Sequence, residues 1–172
     1  MSKLELNSYI GLESEVVRSE LPVEASIVRR FCQAVMDENP MYWTPNEDNR
    51  AYGGPVAPPL FPTFMFGRTF GSPDPIQLNA ENPGYDGLNF SRVLPDIEPI
   101  RGYAMLNGGS EVDFFGYARH GEHVNRQARY SNIVERDTRK GRMVFVTTES
   151  DFRNPRNDLL LRVRTTLIWR PQ

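Results

Sequence analysis

Hydrophobic residues recur at helical spacing in one stretch and at strand spacing in several others. From Glu24 to Met36, the residues Ile27, Val28, Phe31, Ala34 and Val35 return every three or four positions while Arg29, Arg30 and Gln33 lie off that stripe, which predicts one long amphipathic helix. Before it, Glu15 to Val23 alternates as a strand does. After it, Thr44-Pro45-Asn46-Glu47 predicts a second, short helix, with Thr44 as cap, Pro45 at the first helical position, Glu47 closing a capping box and Gly53-Gly54 ending it. Beyond residue 110 the period falls to two, and Glu111 to Phe115, His123 to Glu135, Met143 to Phe152 and Leu159 to Trp169 read as strands. In the last of these, Leu159, Leu161, Val163, Thr165, Leu167 and Trp169 oppose Arg162, Arg164, Thr166 and Arg170, so one face meets a core and the other meets water. Turn residues at Arg119-His120-Gly121-Glu122, Arg139-Lys140-Gly141-Arg142 and Arg153 to Asp158 predict short connections between antiparallel strands.

A greasy helix followed by four or five antiparallel strands is buried most economically when the sheet curls around the helix. The expected fold is therefore α+β: a single hot-dog domain spanning residues 1–172, with a long central helix wrapped by a curved antiparallel sheet of about five strands. A chain of 172 residues suits one core. The arrangement leaves an edge strand and a helix flank uncovered, so a dimer or heteromer is expected, with a site at the seam. Nine of the 14 prolines fall between Pro55 and Pro99, which predicts scarce regular structure there and a proline-rich loop insertion at about residues 63–105.

Composition narrows the function classes. The one cysteine, Cys32, sits in the apolar pattern of the helix and reads as a small core residue. The first residues lack the basic flank and apolar run of a secretory signal, and four prolines interrupt the longest uncharged stretch, from Ala51 to Gly67, so a cytoplasmic protein without a spanning helix is expected. A formal charge of −2 offers no pull on nucleic acid. That total hides a split, with 8 basic and 16 acidic residues up to Ala118 and 12 basic and 6 acidic residues after it. The basic third reads either as solvated outer faces of strands or as a rim in which Arg119, Arg126, Arg129, Lys140 and Arg142 receive phosphates. His120 and His123, the two histidines, read as exposed residues of a hairpin turn, without the further ligands a metal would need.

The densest chemical signal is Asp37-Glu38-Asn39-Pro40-Met41-Tyr42-Trp43, followed by Ala51 to Pro62. With Tyr9-Ile10-Gly11, with Leu106 to Phe115 (which contains Gly108 and Gly109), and with Thr165-Thr166-Leu167-Ile168, the stretch resembles the N-terminal, fatty-acid-synthase-like dehydratase branch of the MaoC-like hot-dog hydratases, which act on acyl thioesters. The resemblance runs from about Tyr9 to Trp169. It implies a site at the end of the helix, where active relatives carry Gly-Asp-x-Asn-Pro-x-His. A proton must leave C2 and water must leave C3 on one face of the acyl chain, so the aspartate and histidine have to converge there with matched pKa values. Here Asp37, Asn39 and Pro40 match the motif, but Tyr42 stands at the histidine position and Met36 at the glycine. A phenol titrating near 10 replaces imidazole poorly unless its surroundings move it by several units. The second active-type signature, a turn whose backbone N–H groups hold the thioester oxygen, is Pro55-Val56-Ala57-Pro58-Pro59 here, and Pro58 and Pro59 remove two donors.

Loss of both elements implies a half-site. The leading expectation is the non-catalytic, acyl-accommodating subunit of a heteromeric (R)-specific enoyl-CoA hydratase or 3-hydroxyacyl thioester dehydratase, partnered by a catalytic MaoC-like hot-dog subunit. The coenzyme A or acyl-carrier thioester would be its substrate, with no cofactor, no metal, no nucleic acid and no membrane. Tyr42, Trp43, Tyr52, Phe61, Phe64, Phe66 and Phe70 read as the wall of a greasy tunnel or as ordinary packing, with Val56, Ala57, Pro58, Gly108 and Gly109 as further substrate contacts. Two alternatives remain: a self-sufficient homodimeric dehydratase or thioesterase using Asp37 with Tyr42 or Asn39, and an acyl-thioester binding protein without turnover. Asp37 reads equally as an Asx-turn residue before Asn39-Pro40.

Overall fold

The computed structural model describes residues 5–67, 71–81, 93–139 and 141–171. Five antiparallel strands form one sheet: β1 (Val17–Arg18), β2 (Ala104–Phe114), β3 (Asn125–Thr138), β4 (Gly141–Arg153) and β5 (Leu159–Arg170), in the order β1-β3-β4-β5-β2. The expected α+β hot-dog layer is what the chain forms. Helix α1 (Ala25–Val35) starts from Glu24 in extended conformation and stops where Met36 turns left-handed at φ 56°. Its short companions are α2 (Glu47–Arg50), α3 (Phe61–Phe64) and α4 (Pro75–Leu78).

Four local expectations are corrected. The strand expected over Glu15 to Val23 shrinks to Val17–Arg18, because only these two residues pair in register with β3. The cap of α2 is Asn46 and not Thr44: the Asn46 carboxamide accepts from the N–H groups of Asp48 and Asn49, while the Asn49 side chain accepts from Asn46 N–H at 3.1 Å. Glu47 closes no box, and the Thr44 hydroxyl donates instead to the Pro40 carbonyl. Strand β2 begins at Ala104, seven residues before its expected start and inside the stretch expected as insertion. Finally, the 115–124 connection is no hairpin turn, since it carries the chain from the β2 edge across to β3.

Two apolar clusters share the inner face of the sheet. Beneath α1, Val28 and Cys32 pack with Met41, Tyr42, Phe61, Val124, Phe152 and Leu161. The buried stripe of the helix is thus Val28 and Cys32, with Ile27 and Phe31 half-buried, whereas Ala34 and Val35 are exposed. Farther along the sheet, Ile97, Ile100 and Leu6 cover Tyr130, Ile133, Val144 and Val146. The outer face carries charge in cross-strand pairs: Arg162 meets Asp151, Arg164 meets Asp113 and Glu149, and Arg129 meets Glu149. Hydrogen bonds from Arg162 and, within β4, from Arg153 hold the Asp151 carboxyl below its ordinary range. Of the basic residues expected to form a phosphate rim, Arg129 and Arg142 are paired with carboxylates, and Lys140 lies outside the described residues.

Edge strand β2 is interrupted by a bulge between Asn107 and Ser110, where the Asn107 side chain accepts from Gly109 N–H at 2.8 Å and Gly109 takes φ 110°. A side chain at Gly108 would place its Cβ 2.7 Å from the Thr166 carbonyl oxygen. Gly108→Ala should therefore push β2 off β5 and cost about 1–3 kcal/mol in a urea unfolding curve. An unchanged midpoint would mean that the two strands do not approach this closely.

Candidate functional site

The helix end and two loops converge beside the first cluster. Because α1 closes on Met36, the chain leaves it in a tight turn in which Asn39 N–H donates to Asp37 Oδ1 at 3.1 Å, and Asn39 in turn caps the 3-10 turn Pro40–Tyr42 by accepting from Met41 N–H. Asp37 is half-buried and Asn39 exposed, while Tyr42 is sealed at 5% exposure. Burial pushes the Tyr42 phenol up to about 12, with the charge of Asp37 adding to the effect. The movement is away from the range in which a phenol could exchange protons near neutrality.

The Val56-Ala57 turn lies alongside. Both of its N–H groups are consumed within the protein: Val56 donates to the Met41 carbonyl at 3.2 Å and Ala57 to the Ala118 carbonyl at 2.8 Å. With Pro58 and Pro59 contributing none, residues 55–59 have no N–H directed at a thioester oxygen. Trp43 stands edge-on to Tyr42, and Tyr52 stands edge-on to Tyr117 at 5.2 Å.

His120, expected as an exposed turn residue, instead lies half-buried against this turn. Burial pulls its imidazole pKa down, and the nearby main chain of Tyr42 and Val56 opposes the shift. Its backbone N–H donates to the Pro55 carbonyl. His123 is half-buried too, with Nδ1 2.9 Å from the Ser19 carbonyl oxygen. Both positions follow from the crossover, which lays residues 117–124 against the core instead of projecting them as a hairpin tip. Among the described residues, no three His, Cys, Asp or Glu side chains gather as a metal site.

The expected aromatic tunnel separates into parts. Phe61 is a fully buried core residue, 5.6 Å edge-on from Phe31, and Phe64 is 60% exposed beside it. Pro58 is buried. Phe66 stacks edge-on against Phe152, and Phe70 lies outside the described residues. Gly108 and Gly109 belong to the β2 bulge, opposite the Thr165 to Leu167 stretch of β5.

The space itself is elsewhere. A cavity of about 480 Å³ lies on the inner face between the two clusters. Its floor is Ala128, Tyr130, Val146, Thr148, Thr165 and Leu167, and Val93, Leu94 and Ile97 wall it from the proline-rich side. Reading the sequence by motif missed this cavity. Its signal was the shared alternation of β3, β4 and β5, which places those side chains on one face between two covered ends.

Solved structures share this fold. A chain of the ChsH1-ChsH2 complex from Mycobacterium tuberculosis matches at a TM-score of 0.65 and 18% identity, over 93% of this chain and 85% of that one. The MaoC-like dehydratase from Rhodospirillum rubrum matches at 0.60 and 17%, over 95% and 93%. A chain of the C-terminally truncated HadBC (3R-hydroxyacyl-ACP dehydratase) complex from Mycobacterium tuberculosis matches at 0.56 and 18%, over 95% and 98%. No curated protein sequence matches. A family model described as the FAS1-like, dehydratase domain region covers residues 8–163, and with the resemblance in the Asp37 to Tyr42 stretch and a hot-dog sheet of MaoC-like type, the chain belongs to that dehydratase family.

Proposed function

We propose that this chain is the acyl-accommodating, non-catalytic subunit of a heteromeric (R)-specific enoyl-CoA hydratase or 3-hydroxyacyl thioester dehydratase. The observation that carries the proposal is a pairing: the position of the catalytic histidine is closed, and the space that would hold an acyl chain is open. Tyr42, at the place of the catalytic histidine, is buried with its phenol near 12, and the adjoining turn has spent its Val56 and Ala57 N–H groups internally. A cavity of about 480 Å³ remains over the sheet. The ChsH1-ChsH2 and HadBC structures are complexes by name, which supports an assembly of two different hot-dog subunits.

In this reading the partner supplies the aspartate and histidine that exchange protons at C2 and C3, together with donors to the thioester oxygen. This chain buries the distal acyl group and so fixes the α–β bond over those groups. The proton transfers need no cofactor, and the thioester of coenzyme A or of an acyl carrier is the substrate. The edge of β2, where Leu106, Phe114 and the adjoining Phe115 are exposed, is the surface offered to the partner. Among the described residues no helix is long and apolar enough to cross a membrane.

Asp37→Asn separates this reading from a self-sufficient enzyme. In the assembled heteromer the substitution should leave kcat within about twofold, because Asp37 serves an Asx turn that asparagine also supports. A loss of about 100-fold or more, the scale of a removed acid or base, would place the chemistry in this chain.

A further inference from the structure

The cavity has one charged residue in its described lining, Arg126. Val124 and then Arg126, Ala128 and Tyr130 of β3 alternate onto the inner face, so Arg126 stands where the helix-covered cluster gives way to the open floor. On the outer face, Arg129, Arg162 and Arg164 each meet a carboxylate. Arg126 meets none among the described residues. Its guanidinium carbon lies 4.8 Å above the centre of the Phe66 ring, and its Nε is buried without a hydrogen-bond partner.

A half-buried guanidinium with its Nε sealed and no counter-charge is costly, and an aromatic face returns only part of that cost. Burial already pulls the Arg126 pKa down, the direction expected of a cation short of stabilisation. A planar carboxylate is the group that a guanidinium fork matches in shape and charge. Around it, Thr148, Ser150 and Thr165 add hydroxyls, while Leu94, Ile97, Val146 and Leu167 suit methylene groups and not a nucleotide.

We propose that Arg126 is an anion receptor inside the acyl cavity, so that the thioesters this subunit favours carry a carboxylate on the acyl group, distal to the thioester carbon. The substrate class is thus a dicarboxylic mono-thioester. The proposal rests on the acyl-accommodating reading above, and its test keeps the two apart.

The full-length chain is titrated calorimetrically with glutaryl-CoA and with pentanoyl-CoA, which share five acyl carbons and every phosphate and differ in the terminal carboxylate. Glutaryl-CoA should bind at least about tenfold more tightly, the scale of a charged hydrogen bond. Arg126→Met should abolish the preference while leaving pentanoyl-CoA affinity and thermal stability intact, and Arg126→Lys should retain part of it. Equal affinities in the native chain would overturn the proposal. So would an equal weakening of both ligands by Arg126→Met, which would put a coenzyme A phosphate on Arg126. If neither thioester binds, melting curves with octanoate and octan-1-ol decide. Octanoate stabilising the native chain but not Arg126→Met, with octanol inert, keeps the receptor and discards the thioester reading. Octanoate no better than octanol overturns both.

Discussion

Glu149→Ala should lower the unfolding free energy by about 3 kcal/mol and Tm by roughly 10 °C. Glu149 lies on the outer face of the central strand β4, yet its side chain is only 7% exposed because three arginines close over it. Arg129 contacts one carboxylate oxygen, Arg162 Nε lies 3.3 Å from the same oxygen, and Arg164 Nε lies 2.8 Å from the other. Deleting the carboxylate leaves three guanidiniums facing one another across the position it occupied, with Asp151 still bonded to Arg162 at 2.6 and 2.8 Å, Asp113 to Arg164 at 2.7 Å and Glu13 3.8 Å from Arg129. Breaking a fully buried pair costs about 3–5 kcal/mol, and the partial exposure of the arginines, at 42%, 24% and 32%, sets the expectation at the lower end through solvent screening. Glu149→Gln should fall between, since it keeps an acceptor and loses the charge. Chemical unfolding at neutral pH reads both. A change within the surface-pair range, below about 1 kcal/mol, would show that water replaces the carboxylate easily.

Much of this fold was legible because its main signals are periodic. Helix α1 and strands β3, β4 and β5 follow from spacing alone, since each buries one face and exposes the other. Strand β2 hid its first seven residues: as an edge strand it is exposed over most of its length, and the bulge at Asn107 to Ser110 breaks its alternation. The crossover after β2 was hidden for a different reason. Gly121 takes φ 83° in a local turn of the kind that also closes hairpins, so turn chemistry cannot tell which strand comes next. At α2, two adjacent cap-forming residues competed, and Asn46 won because its carboxamide reaches two N–H groups while Thr44 is held by Pro40.

The site was legible where chemistry is local and hidden where it is assembled. Asp37, Asn39 and Tyr42 could be placed from one heptapeptide, and the structure sets them in one turn. The cavity draws on residues as far apart as Val93 and Leu167, and its floor is brought together only by sheet pairing. Arg126 was grouped with the basic third by charge count, although the run Val124, Arg126, Ala128, Tyr130 already assigned it to the apolar face. His120 shows the same effect, because its closeness to Tyr42 and Val56 depends on the crossover.

The second large effect concerns turnover. An acid or base in the right place contributes about 10²–10⁴-fold, and one oxyanion donor about 10²–10³-fold. With Tyr42 buried near 12 in place of the first, and Val56 and Ala57 N–H groups spent in place of the second, the lone chain should fall at least about 10⁴-fold below a complete hydratase. The measurement is crotonyl-CoA hydration, followed as loss of enoyl-thioester absorbance. It is run with the purified chain alone and with the chain co-purified with a hot-dog subunit that carries an intact Gly-Asp-x-Asn-Pro-x-His motif. The lone chain is expected at the background rate and the pair at an ordinary kcat of about 1–10³ s⁻¹; turnover at that rate by the lone chain would contradict its assignment as the non-catalytic half.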